Sequence, residues 1–155
     1  MFIQNNFPIK GIKITVNIIN DTGWNMEKHE KLLNMLMNFS PLVRFTAVCS
    51  KDGEIEWQSK RDNITNIVSL EDTKESIKRA AESWKAREEL SKSGTGRGMY
   101  TITAFEKIKR ITIPLEDDHI LFISTDNTPK NKKDYGRLVG MGEIMSIVDF
   151  INKNE

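Results

Sequence analysis

Met99-Tyr100-Thr101-Ile102-Thr103-Ala104-Phe105, then Glu106-Lys107, then Ile108-Lys109-Arg110-Ile111-Thr112-Ile113, then Pro114-Leu115-Glu116-Asp117-Asp118, then His119-Ile120-Leu121-Phe122-Ile123-Ser124-Thr125 follow one another without a break. The reading of this stretch decides the fold. Isoleucine, threonine, phenylalanine and tyrosine suit a pleated, half-buried surface, and the two short polar insertions are turns. Three antiparallel strands are therefore expected. Pro114 ends the middle one, because proline brings no N–H to a ladder. The last strand is apolar on both faces through Ile120, Leu121, Phe122 and Ile123, which predicts a central strand covered on two sides.

The 155 residues suit a single domain with one core. Net charge is +1, from 23 basic and 22 acidic residues, so neither a nucleic-acid footprint nor a trap for acidic substrates is expected. The single cysteine, Cys49, excludes an internal disulfide and fits a reducing compartment. No apolar run approaches the roughly 20 residues that span a bilayer. Residues 1–6 lack a positive region followed by an apolar one, so a cytoplasmic protein without a secretory signal is expected.

Upstream of the meander, Ile12, Ile14, Val16 and Ile18 alternate with polar residues, the period of a strand with one apolar face. It reads as an edge strand of the main sheet. Pairing with another molecule is the sharper alternative, and Met26, itself able to start a chain, leaves room for a loose leader. Residues 1–24 are taken as an N-terminal extension and 25–155 as one domain. A helix follows, with Asn25 as its cap; Leu32, Leu33, Leu36, Met37 and Phe39 form its apolar side, and Ser40-Pro41 ends it. His29 is assigned to the charged side, as a solvated residue.

Residues 42–50 and 54–58 form two strands around the turn Lys51-Asp52-Gly53. On the first, Val43, Phe45, Ala47 and Cys49 share one face. On the second, Ile55 and Trp57 point inward, while Glu54, Glu56 and Gln58 meet water, which places that strand near an edge or beyond the helices' cover. The longest helix, 71–91, is capped by Ser69 and carries a thin apolar stripe of Ile77, Ala80, Ala81, Trp84 and Leu90. Glu75 with Arg79 and Lys85 with Glu89 are spaced to pair across one turn. Trp84 reads as a core anchor, with a dimer contact as the alternative.

Ser93-Gly94-Thr95-Gly96-Arg97-Gly98 has glycines spaced like a phosphate loop, but it closes a helix and opens a strand, the reverse of the order that aims a helix N-terminus at an anion. It reads as a helix end and a turn. After the meander comes a polar loop, 126–134, with the basic run Lys130-Asn131-Lys132-Lys133. A last helix, 135–152, has glycines 136, 140 and 142 near its start.

Catalytic signatures are lacking. Cys49, His29 and His119 are far apart in sequence and show no zinc spacing, no Gly-x-Ser-x-Gly elbow occurs, and Glu116-Asp117-Asp118 reads as a hairpin turn. Cys49, without a basic neighbour, reads as packing. No catalytic residue, no metal and no cofactor are expected. Were the chain an enzyme after all, the candidates would be His119, Asp117 and Asp118.

The succession of helix, hairpin, long helix, three-stranded meander and helix resembles the roadblock/LC7 family over 26–152. The run Leu42-Val43-Arg44-Phe45-Thr46-Ala47-Val48-Cys49-Ser50-Lys51-Asp52-Gly53-Glu54-Ile55 looks like that family's first hairpin. Lys85-Ala86-Arg87-Glu88-Glu89-Leu90 and the meander itself look like a group of short archaeal relatives. The resemblance implies an α+β fold: one five-stranded antiparallel sheet of order 2-1-5-4-3, the long helix on one face and the two terminal helices on the other. An extra N-terminal strand adds to it. It further implies a non-catalytic regulator or scaffold that homodimerises through the long helix and the adjoining edge strand. The contacts would be Ile77, Ala81, Trp84, Tyr100 and Ile102, and the partner a small GTPase or a signalling complex. The N-terminal strand could block that pairing if it covered the same edge. The rival reading is a small-molecule sensor of the PAS, GAF or profilin-like kind, which would need an apolar pocket.

Overall fold

In a computed structural model, residues 3–9, 12–18, 23–62, 67–127 and 140–153 are described, by their backbone alone for 3–27. The meander forms as its composition dictates. β5 (Thr101–Ala104), β6 (Ile108–Pro114) and β7 (His119–Asp126) pair in sequence, Ile111 lying between Ile102 and Ile123. β7 is central: its other side pairs with β3 (Val43–Ser50), which in turn pairs with β4 (Ile55–Arg61). Counted from β3, this is the five-stranded order 2-1-5-4-3.

The N-terminal extension supplies two strands where the sequence reading had one. β1 (Ile3–Ile9) and β2 (Ile12–Ile18) form a hairpin, and β2 pairs with β4, giving the order β1-β2-β4-β3-β7-β6-β5. β4 is therefore interior, contrary to the near-edge expectation.

The helices take opposite faces. α1 (Gly23–Phe39) and α3 (Met141–Lys153) cover one, where Leu32, Leu33, Leu36, Met37, Ile144, Val148 and Ile151 meet Val43, Val48, Ile111, Ile113, Leu121 and Ile123. α2 (Leu70–Leu90) covers the other. Its Ile77 joins Ala47, Cys49 and Phe122, and its Ala81 and Trp84 join Ile120. Burial of the apolar stripe, rather than propensity, is what holds so charged a helix in place.

Helix ends follow local chemistry. Ser69 Oγ accepts the N–H of Asp72 at 3.1 Å, the expected cap. α1 begins at Gly23, so Asn25 lies inside its first turn and does not cap it. Its last turn carries no basic residue; instead Arg61 reaches over from β4 and donates to the carbonyls of Met37 (2.7 Å), Ser40 (3.1 Å) and Val43 (2.9 Å). A cation there also suits the negative end of the helix dipole. Glu75 pairs with Arg79 as expected, at 3.1 Å. Lys85 and Glu89 do not pair with each other: Lys85 reaches Asp52 at 2.7 Å and Glu89 takes Lys92 at 3.1 Å. α3 starts only after Gly140. The basic run at 130–133, residues 135–139 and Asn63 and Ile64 fall outside the described residues.

Two bulges overturn face assignments. At Arg44 the register with β7 slips by one residue, which turns Val43 away from Phe45, Ala47 and Cys49 and toward α1. At Glu56 the register with β3 slips again, so Ile55 packs beside Cys49 under α2 while Trp57 packs under α1. A period of two holds only while the ladder is regular, and one inserted residue flips everything beyond it.

Candidate functional site

Two places stand out, the β5 rim beside α2 and a polar cluster under α1. The five residues expected at a dimer contact divide between core and surface. Ile77, Ala81 and Trp84 are buried against the sheet within this chain, because the α2 stripe is narrow and its apolar members are needed by the core. Tyr100 and Ile102 are exposed, at 45% and 44%, as are their chain neighbours Met99 and Phe105. Among the described residues β5 pairs with β6 alone, so its other backbone edge has no strand partner there.

That rim is tied firmly to α2. The indole N–H of Trp84 donates to Thr112 Oγ1 at 2.9 Å, and Thr112 Oγ1 lies 2.6 Å from Thr101 Oγ1. A side-chain relay therefore runs from the helix through β6 to the edge strand. The glycine-rich turn has a steric role that its spacing did not reveal. A Cβ on Gly98 would sit 2.5 Å from Cζ3 of Trp84, so only glycine lets the chain pass over the indole.

The polar cluster was not foreseen. His29 is fully buried, in contrast to the solvated position expected for it. The reason lies in spacing: Leu32, Leu33, Leu36 and Met37 stand three, four, seven and eight residues after it, which puts His29 on the apolar stripe. Its Nε2 lies 2.8 Å from Asp117 Oδ2, and its ring meets Trp57 edge-on at 4.3 Å and His119 at 4.8 Å. His119 Nδ1 donates to the Asp117 carbonyl at 2.9 Å, and Nε2 lies 2.6 Å from Glu56 Oε2. The bulge on β4 aims Glu56 here, away from the water expected for it.

The electrostatics follow from these contacts. Burial alone would lower the basicity of His119, but hydrogen bonds and charge from Asp117, and then from Glu56, outweigh it and raise the imidazole to about 9. Burial pushes the Asp117 carboxyl up, yet its contacts with His119 and His29 hold it well below the usual carboxylate range. Two imidazoles and two carboxylates thus share one site.

Of the residues named as enzyme candidates, His119 and Asp117 come together and Asp118 does not. Asp118 sits in the turn at φ 64° and pairs with Lys51 at 3.1 Å on the surface. Cys49 cannot serve the cluster as a nucleophile. It lies on the α2 side, fully buried, and burial pushes its thiol up to about 12, with the charges of Glu56 and Glu54 adding. No described helix is long and apolar enough to cross a membrane.

No protein-family model matches the sequence, and no curated protein matches it. Solved structures do match the fold. The gliding protein MglB from Thermus thermophilus superposes with a TM-score of 0.60 at 13% identity, over 88% of this chain and 90% of that one. A roadblock/LC7 domain from Streptomyces avermitilis gives 0.55 at 9% identity, over 79% and 89%. MglB in a tetrameric arrangement gives 0.59 at 13%, over 86% and 88%. The likeness is one of fold, and the architecture of this chain is that of roadblock/LC7 domains.

Proposed function

We propose that this chain is a non-catalytic regulatory or scaffold module of the cytoplasm. In this reading it forms a homodimer across the β5 rim and acts on a small GTPase or another signalling complex. The observation that carries the reading is the rim itself: a backbone edge with no strand partner among the described residues, flanked by exposed Tyr100 and Ile102. Exposed apolar side chains beside an open strand edge are a ready surface for association. The N-terminal strands extend the sheet on the β4 side, at the opposite margin, and so leave this rim free. The tetrameric arrangement of one structural neighbour is in keeping with self-association. The choice of partner rests on the resemblance to roadblock/LC7 proteins.

A small-molecule sensor is less well supported. The cleft of about 260 Å³ beside Trp84 has an apolar floor of Ala81, Trp84, Leu115 and Ile120, but Lys51, Lys85, Arg87, Glu88, Arg97 and Asp118 ring it, and it is an open groove rather than an enclosed apolar pocket.

Light scattering at tens of micromolar tests the dimer. The wild type is expected at twice the chain mass and Ile102→Lys at the chain mass with an unchanged circular dichroism spectrum. A monomeric wild type would remove the rim as an interface. Capture from native lysate with and without GTP then tests the partner.

A further inference from the structure

We propose that His29, Asp117 and His119, with Glu56 beside them, bind a divalent first-row transition ion, zinc in the first instance. The proposal is independent of the dimer and of the partner. It starts from donor chemistry. Two imidazoles and a carboxylate suit zinc and its neighbours, whereas magnesium and calcium prefer oxygen alone. The set is assembled from α1, from the β6–β7 turn and from the start of β7, so no sequence spacing announces it.

The geometry is close to what the ion requires. One donor atom from each of the three residues lies within 4.8 Å of the other two. Zinc bonds of about 2.0–2.1 Å in a tetrahedron put neighbouring donors about 3.3 Å apart. Side-chain rotation of Asp117, which sits in a turn, and a small shift of His119 would close that gap. Glu56, 2.6 Å from His119 Nε2, stands where it can supply a fourth oxygen.

The surroundings resemble a supported site rather than an accidental cluster. The Asp117 carbonyl accepts from His119 Nδ1, which leaves Nε2 as the ring nitrogen for an ion, the usual outer contact of a metal-bound histidine. Trp57 backs the His29 ring and keeps it in place. His29 turns Nε2 toward Asp117, and its Nδ1 is buried with no hydrogen-bond partner among the described residues, so this ring is held by packing and lacks the outer contact that His119 has. The side chains of Asp117 and His119 keep 21% and 15% of their surface, which gives an ion a way in. Bound there, it would clamp α1 to the β6–β7 turn.

The test uses the full chain, stripped with a chelator and then titrated with zinc against a chromophoric competitor. Cobalt serves as a spectroscopic probe of the coordination. One zinc per chain and an intense visible cobalt band are expected. Both should be lost in His119→Gln, with zinc affinity falling by more than the roughly 10–100-fold cost of losing an outer-sphere partner. Asp117→Asn should behave alike, and circular dichroism of both variants confirms that the fold persists. Zinc uptake no tighter in the wild type than in His119→Gln would overturn the proposal and leave a metal-free polar latch. Stoichiometric uptake that both variants retain would overturn it as well, by placing the ion elsewhere.

Discussion

His29 Nε2 and Asp117 Oδ2 meet at 2.8 Å, joining the first helix to a hairpin turn 88 residues later. The pair is buried on the histidine side, so removing one partner strands the other. Asp117→Ala is expected to cost about 2–3 kcal/mol, because it leaves a buried imidazole without its acceptor and also releases His119. His29→Leu should cost less, since an apolar side chain fits the stripe and Asp117 keeps His119. Urea unfolding with unchanged m-values measures both.

His119 gives the protein a pH signature, measured with a chelator present. Its folded-state value, raised to about 9 from 6.5, means that the folded form holds the proton more tightly. The resulting stability is complete below about 6.5 and is lost as pH rises through about 9. The melting temperature should therefore fall across that alkaline window in the wild type and stay flatter in His119→Gln. Asp117, with its value lowered, acts in the opposite sense: its contribution is present above the ordinary carboxylate range and disappears on strong acidification.

Gly98 and Trp84 should behave as a coupled pair. Gly98→Ala places a methyl group 2.5 Å from the indole and is expected to cost about 1–3 kcal/mol, as overpacking does. Trp84→Phe removes the donor to Thr112 and should cost about 1 kcal/mol for that bond, plus the lost packing. In the Trp84→Ala background the Gly98→Ala penalty should largely vanish, and a double-mutant cycle reads the coupling.

Arg61 closes α1 from outside the helix. Arg61→Met keeps the stem but abandons three carbonyls, so a loss of about 1–3 kcal/mol is expected. Hydrogen exchange should quicken first in the last turn of α1, a locality that a general loss of stability would not produce.

Deleting residues 1–22 uncovers the outer edge of β4. Concentration-dependent association beyond the dimer is expected from the truncated chain, because an unguarded strand edge templates pairing. Sedimentation of the truncated and full chains side by side checks it.

Most of the architecture was legible because it rests on local signals. The two-sided apolar run at 120–123 marked the central strand, and the Ser69 cap with the apolar stripe behind it marked α2. What escaped notice depended on register or on distant neighbours. The bulges at Arg44 and Glu56 leave no mark in the alternation, so Val43 and Glu56 were assigned to the wrong faces. His29 could have been found: its spacing from Leu32, Leu33 and Leu36 is that of a core position, and polarity masked it. Asp117 and His119 could not have been joined to it by spacing alone, since only the packing of α1 on the sheet brings them together.

The seven-stranded sheet has two unlike margins. Among the described residues one ends in the four residues of β5, Thr101–Ala104; the other ends in the seven residues of β1, of which Pro8 has no N–H to offer a newcomer. If pairing is confined to the β5 margin, as proposed, growth stops at two copies, whereas use of both margins would give fibres. With strands about 4.8 Å apart, such a pair would stretch on the order of 60 Å from hairpin to hairpin. It would be a long, finite platform with the α2 helices of both copies gathered at its middle.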